Sequence, residues 1–144
     1  MYLIQLALFI ASTTATAPYS GNDSIAQGIA KHYTPNLMQR VLRVRQRQGL
    51  IPYGVTGYDG LASRPDCGTI GRYFWASLRN PRTGEWSRPR RMLQVDCSHP
   101  RDRQRHIRSG LVVEVDYWTA RATGWGWNGR RGTGKVQARV WGQE

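Results

Sequence analysis

Residues Leu3 to Ala11 form an almost unbroken apolar run, and small residues fill positions 12–17. The run has the length of a signal-peptide core and is too short to anchor a chain across a bilayer. It predicts export, with residues 1–17 as a cleavable segment and Ala15-Thr16-Ala17 as its small-x-small site. No Lys or Arg precedes it, and Pro18 would follow the cut, so cleavage after Ala15 is the alternative and a buried N-terminal element the competing reading. Residues 18–28 read as a flexible start. Beyond them, Leu37, Met38, Val41, Leu42 and Val44 recur at helical spacing, with Arg40, Arg43 and Arg47 largely between. With Thr34 as N-cap, Pro35 at the first position and Gly49 as stop, this predicts an amphipathic helix over about 35–48 with a basic outer face. Past residue 50 the pattern shortens to strand-length runs between Gly, Pro and Asn: 53–58, 71–78, 92–97, 111–115 and 135–141. Residues 79–84 read as a hairpin turn, His99–Arg108 as an exposed charged loop, and Tyr117–Thr123 as a second short helix ending at Gly124. The predicted class is mainly β, a small barrel or sandwich with one or two short helices.

Composition adds two constraints. Cys67 and Cys97 are the only cysteines, an even count without metal-ligand spacing, which in an exported chain reads as one disulfide. Two free buried thiols are the alternative. Too few Cys and His lie close together for a zinc site, so no metal and no cofactor are expected. The formal charge is +12, and Lys31 and Lys135 are the only lysines, so the cations are almost all arginine. Such a chain is drawn to anionic polymers (nucleic acid, acidic wall glycans, anionic lipid), and its charge favours a monomer. No Ser-His-Asp order, P-loop or dinucleotide fingerprint is present.

The segment from Pro65 to Gly142 carries a further pattern. Pro65-Asp66-Cys67-Gly68-Thr69 is followed by a strand ending at Leu78-Arg79-Asn80, a turn closing on Gly84, then Leu93-Gln94-Val95-Asp96 and Pro100. Val112-Val113-Glu114-Val115-Asp116-Tyr117, a helix with Ala120 and Ala122, Gly124 and a Val136–Trp141 strand complete it. This order, over about 80 residues, resembles the double-psi β-barrel domains of the rare lipoprotein A, expansin and barwin type. The resemblance implies a six-stranded double-psi β-barrel over residues 29–144, with the basic helix at 35–48 as an insertion. It implies an exported protein acting on cell-wall polysaccharide, chiefly peptidoglycan, as a lytic transglycosylase-like enzyme or as a glycan binder. A cationic exported protein for nucleic acid or other polyanions is the competing class.

The resemblance also nominates residues. Glu114 falls at the family's acidic position in its Ile-Asp-Leu-Ser segment, and Asp96 at its other common acidic position. Asp116 falls on the family's serine, a helix N-cap, where its carboxylate serves the free amides of the first turn; catalysis is its second reading. Glycosidic cleavage needs a carboxylic acid to protonate the leaving oxygen, and lytic transglycosylases need only that one. Enclosure of Glu114 by Val112, Val115 and Trp118 would keep it protonated, whereas an arginine partner would hold it ionised. Tyr33, in Ala30-Lys31-His32-Tyr33, and Tyr58, at the end of Tyr53–Tyr58, compete for the groove position. His99 and His106 flank Pro100 among arginines and read as a polyanion clamp or as ordinary loop residues. Trp125 and Trp127 read as sugar- or base-stacking rings, or as a cover for one end of the barrel.

Overall fold

Alternation of inward and outward side chains builds most of the molecule. A computed structural model describes residues 26–55, 59–125 and 134–143. It contains strands β1 (Ala26–His32), β2 (Leu61–Arg64), β3 (Tyr73–Leu78), β4 (Arg90–Cys97), β5 (Leu111–Val115) and β6 (Val136–Gln143), and helices α1 (Leu37–Arg47), α2 (Pro100–Arg108) and α3 (Tyr117–Ala122). In β3, Phe74, Ala76 and Leu78 enter the core, and in β6 Val136, Ala138 and Val140 do the same. This two-residue period is what a sheet with one wet face requires. Met92, Val113, Val115, Ala30 and Ala62 complete the interior from the remaining strands.

The six strands close in the order β1-β5-β2-β4-β3-β6. The β1–β5 and β2–β4 pairs are parallel; the other neighbours are antiparallel. Only β3 and β4 are neighbours both in space and in sequence, joined through the turn in which Asn80 N donates to the Glu85 carbonyl and Gly84 N to that of Asn80. Closure leaves no exposed edge to template aggregation. It also requires close backbone approaches: a Cβ on Gly28 would collide with the Gly110 carbonyl oxygen. Outside the barrel, Met38 of α1 packs with Ile51, Leu61, Leu93 and Val95 in a second apolar cluster that fastens the helix over β2 and β4.

The expected mainly β six-stranded barrel is present, with three corrections in detail. There are three helices among the described residues. The segment 100–108, read as a loop for want of an apolar stripe, is a helix that buries none of its residues. Its signals are Pro100 in the first turn, Asp102 favouring the positive end of the dipole, and Gly110 in the left-handed region after it. The second correction concerns α1, which opens at Leu37. Pro35 and Asn36 (φ 65°) occupy the middle of a turn in which Leu37 N donates to the Thr34 carbonyl, so Thr34 is not the cap. Proline followed by a left-handed Asn is the preference of a type II turn, which competes with a proline-first helix start. Third, neither β1 nor β2 was among the expected strands: β1 takes in residues 26–28 of the expected flexible start, paired with Val140 to Ala138, whereas residues 53–55 form a turn instead of a strand. Residues 1–25, with the expected signal segment, lie outside the described residues.

Cys67 and Cys97 form the expected disulfide, tying the loop after β2 to the end of β4. No helix among the described residues is long and apolar enough to cross a membrane. The bridge closes a loop of 30 residues, worth about 3–4 kcal/mol on the chain-entropy account. Replacing both cysteines by serine should lower unfolding free energy by about 3 kcal/mol in urea denaturation at unchanged barrel circular dichroism.

Candidate functional site

β2 is flanked by β5 and β4, so Ser63 faces two acidic residues in register, Glu114 on β5 and Asp96 on β4. Lys31 of β1 pairs with Glu114 on its other side. The row Lys31–Glu114–Ser63–Asp96 lies on the outer face of the barrel, because the adjacent Ala30, Val113, Val115 and Ala62 point into the core, and Ser63 itself is buried there. Tyr33, just past the end of β1, reaches over this row: its hydroxyl donates to Oε2 of Glu114 at 3.1 Å. Its backbone amide is fixed by the Val115 carbonyl at 3.0 Å, which sets the ring's position relative to β5. Burial pushes the phenol well above the ordinary tyrosine value, Glu114's charge adds to the shift, and a hydrogen bond with Ser63 opposes it. Tyr33 therefore stays protonated and keeps its hydrogen available to the carboxylate.

The two in-register acids have opposite surroundings. Asp96 is engaged by Arg45 of α1, with Nη2 at 2.6 Å from Oδ1, while Nε of the same arginine donates to the Val95 carbonyl at 3.1 Å. Each side chain is 23% exposed, so this pair is partly shielded and geometrically fixed. Glu114 is half-buried and, among the described residues, has Tyr33 as its only hydrogen-bonding or ionic partner. No described arginine pairs with it, in a chain rich in arginine. The enclosing Trp118 expected from sequence is not supplied, since that ring is 56% exposed.

Asp116 proves to be a cap. It is 4% exposed, and its two oxygens accept from Thr119 N at 2.7 Å and Leu61 N at 2.6 Å. Both acceptors are spent on backbone amides, which removes it from the catalytic candidates. Trp125 is also corrected: it is 4% exposed, part of the barrel core, and edge-on to His32 at 4.7 Å, so it closes the barrel's end and offers no face to a ligand. His99 is the N-cap of α2, and His106 is bound through Nδ1 to Ser98 Oγ at 2.7 Å, so both histidines serve to place that helix. Tyr58 and Trp127 lie outside the described residues. No group of three or more described His, Cys, Asp or Glu side chains is placed to hold a metal.

Sequence reasoning missed Arg45 and Ser63. Arg45 had a signal: at helical spacing after Met38, Val41 and Leu42, it continues the buried stripe, where a cation needs a partner. Ser63 had none, since Leu61-Ala62-Ser63-Arg64 matches no motif. Compared with protein-family models, curated proteins and solved structures, the chain finds no match in any of the three.

Two outcomes test this geometry. Asp116→Ala should cost about 2–4 kcal/mol in chemical denaturation, because two buried amides lose a charged acceptor. Raised in the folded state, the Tyr33 phenol stabilises the fold fully below the ordinary phenol value of 10.0, and that contribution is lost as pH climbs from there towards the folded value. The urea midpoint of the wild type should therefore fall more steeply above about pH 10 than that of Tyr33→Phe.

Proposed function

We propose that this chain is an exported double-psi β-barrel protein of the rare lipoprotein A kind that cleaves cell-wall glycan, with Glu114 as its single acid. The closed six-strand order with two parallel pairs, the disulfide and the ordered motifs from Pro65 to Trp141 support the family reading. One observation carries the chemistry: among the described residues Glu114 has only the Tyr33 phenol as a partner, while Asp96 is paired with Arg45. A hydrolase of the usual kind needs two working carboxyl groups, and a lytic transglycosylase needs one.

In this reading the protonated Glu114 gives its hydrogen to the glycosidic oxygen as the bond to the anomeric carbon breaks. A hydroxyl of the same sugar then closes onto that carbon and returns a proton to the carboxylate, so the product is an anhydro-sugar end and the acid is regenerated. The hydrogen bond from Tyr33 strengthens as Glu114 becomes anionic, stabilising charge where it develops. A second reading, binding without cleavage, is favoured by the Arg45–Asp96 pair itself, which occupies the other acidic position of the family.

The deciding experiment incubates the protein with intact sacculi and with glycan strands stripped of stem peptides, and analyses soluble products by mass spectrometry. Anhydro-ended fragments that fall about 100-fold or more in Glu114→Gln are expected. A wild-type protein that sediments with the wall but releases nothing is a binder, and one that does neither refutes the wall assignment.

A further inference from the structure

Beside α3 lies an open cavity of about 490 Å³, distinct from the Glu114 row. Gln39 and Leu42 of α1, Asp59, Gly60, Arg90 and Trp118 are among the residues that line it. Gly60 has φ +147°, and a Cβ there would collide with Thr119 Oγ1, so that position admits no side chain. Arg90 is braced by two hydrogen bonds to the Asp59 carbonyl, at 3.2 and 2.9 Å, and the Asp59 carboxylate accepts from Arg91 N at 3.0 Å. The polar groups around the cavity are therefore already oriented.

Trp118 is 56% exposed although its neighbours Thr119 and Ala120 in the same helix are buried. Indole is the largest apolar surface a side chain can offer, and its exposure against a concave polar wall is a recognition feature more than a packing one. The charge of the cavity is equally informative. Its lining contains one cation, Arg90, against the carboxylates of Asp59 and Asp116, in a chain of net charge +12. The cavity of about 470 Å³ bounded by Arg79, Arg82 and Lys135 has no acid in its lining and suits an anion. The Trp118 cavity does not.

We propose that the Trp118 cavity is a subsite for an uncharged sugar residue, whose ring stacks on the indole while its hydroxyls meet Gln39, Asp59 and Arg90. A carboxylate and a guanidinium together satisfy hydroxyls as both donors and acceptors, which a one-signed surface cannot. The inference rests on the wall-glycan reading and deepens it. Leu61 lies two residues before Ser63, and Asp116 two after Glu114, so the cavity sits about 7 Å along the strands from the acidic row. A glycan seated on Trp118 would thus have a neighbouring unit within reach of Glu114.

Calorimetric titration with the β-1,4-linked N-acetylglucosamine tetramer tests this in wild type, Trp118→Ala and Gln39→Ala. Wild type should bind with little dependence on salt, Trp118→Ala about tenfold more weakly, and Gln39→Ala a few-fold more weakly. Both cavity variants change exposed or half-exposed positions, so they should fold. Tetramer binding unchanged in Trp118→Ala, or absent in wild type, overturns the subsite. Sedimentation with sacculi, measured in parallel, then shows whether the wall assignment survives. Salt-dependent capture of oligothymidylate lost in Trp118→Ala would overturn the neutral-sugar subsite in favour of a polyanion.

Discussion

The arrangement of the candidate site depends on how Asp116 holds β2. That strand has four residues and meets β5 through only two register pairs, Ala62–Val115 and Ser63–Glu114. So short a ladder specifies register weakly, and a slip of one residue would turn Ser63 inward and Ala62 outward. Asp116 lengthens it. Its backbone amide donates to the Leu61 carbonyl at 2.9 Å, and its carboxylate accepts from the Leu61 amide at 2.6 Å. The side chain thereby substitutes for a strand carbonyl, which lets the main chain leave β5 and enter α3 while the pairing with β2 continues. Its second oxygen caps that helix through Thr119 N. One buried carboxylate thus supports the register that sets Ser63 beside Glu114, and the four-pair ladder with β4 sets it beside Asp96.

What the sequence revealed follows from where local signals dominate. β5, with the strict alternation Leu111, Val113, Val115, lies at the expected bounds, and the Asp116 cap follows from residue chemistry at a strand–helix boundary. β2 was illegible because Leu61-Ala62-Ser63-Arg64 is too short to display a period, and its partners lie about 30 and 50 residues away. β1 was illegible as well: none of the expected strands covers Ala26–His32, and its pairing with β6 draws in a start that reads as flexible. α2 escaped notice for the opposite reason: it buries nothing, so its existence rests on caps and not on an apolar stripe. In the site, the acidic positions could be read, but their partners could not. Tyr33 is 81 residues from Glu114 and Arg45 is 51 from Asp96, separations that only barrel closure brings together.

The arginines do several kinds of work that net charge conceals. Arg45 is consumed by Asp96, while Arg91 and Arg139 lie over the rings of Tyr73 and Trp86 at 4.3 and 4.0 Å. Stacking of this kind requires the planar guanidinium, which accounts for arginine over lysine at these two positions. The four arginines of α2 remain solvent-facing. A polyanion would meet that helix first, whereas the acidic row and the Trp118 cavity carry their own compensating carboxylates.

Helix α1 connects these features. Its apolar stripe seals the outer face of β2 and β4, its Arg45 locks Asp96, and its Gln39 and Leu42 wall the Trp118 cavity. A barrel without it would present two in-register carboxylates, Glu114 and Asp96, with Ser63 between them. Arg45 instead pairs with Asp96 at 2.6 Å, fixing a cation beside that carboxylate, while Glu114 accepts from the Tyr33 hydroxyl. The helix thus gives the two acidic positions different partners, and it also contributes Gln39 and Leu42 to the lining of the Trp118 cavity.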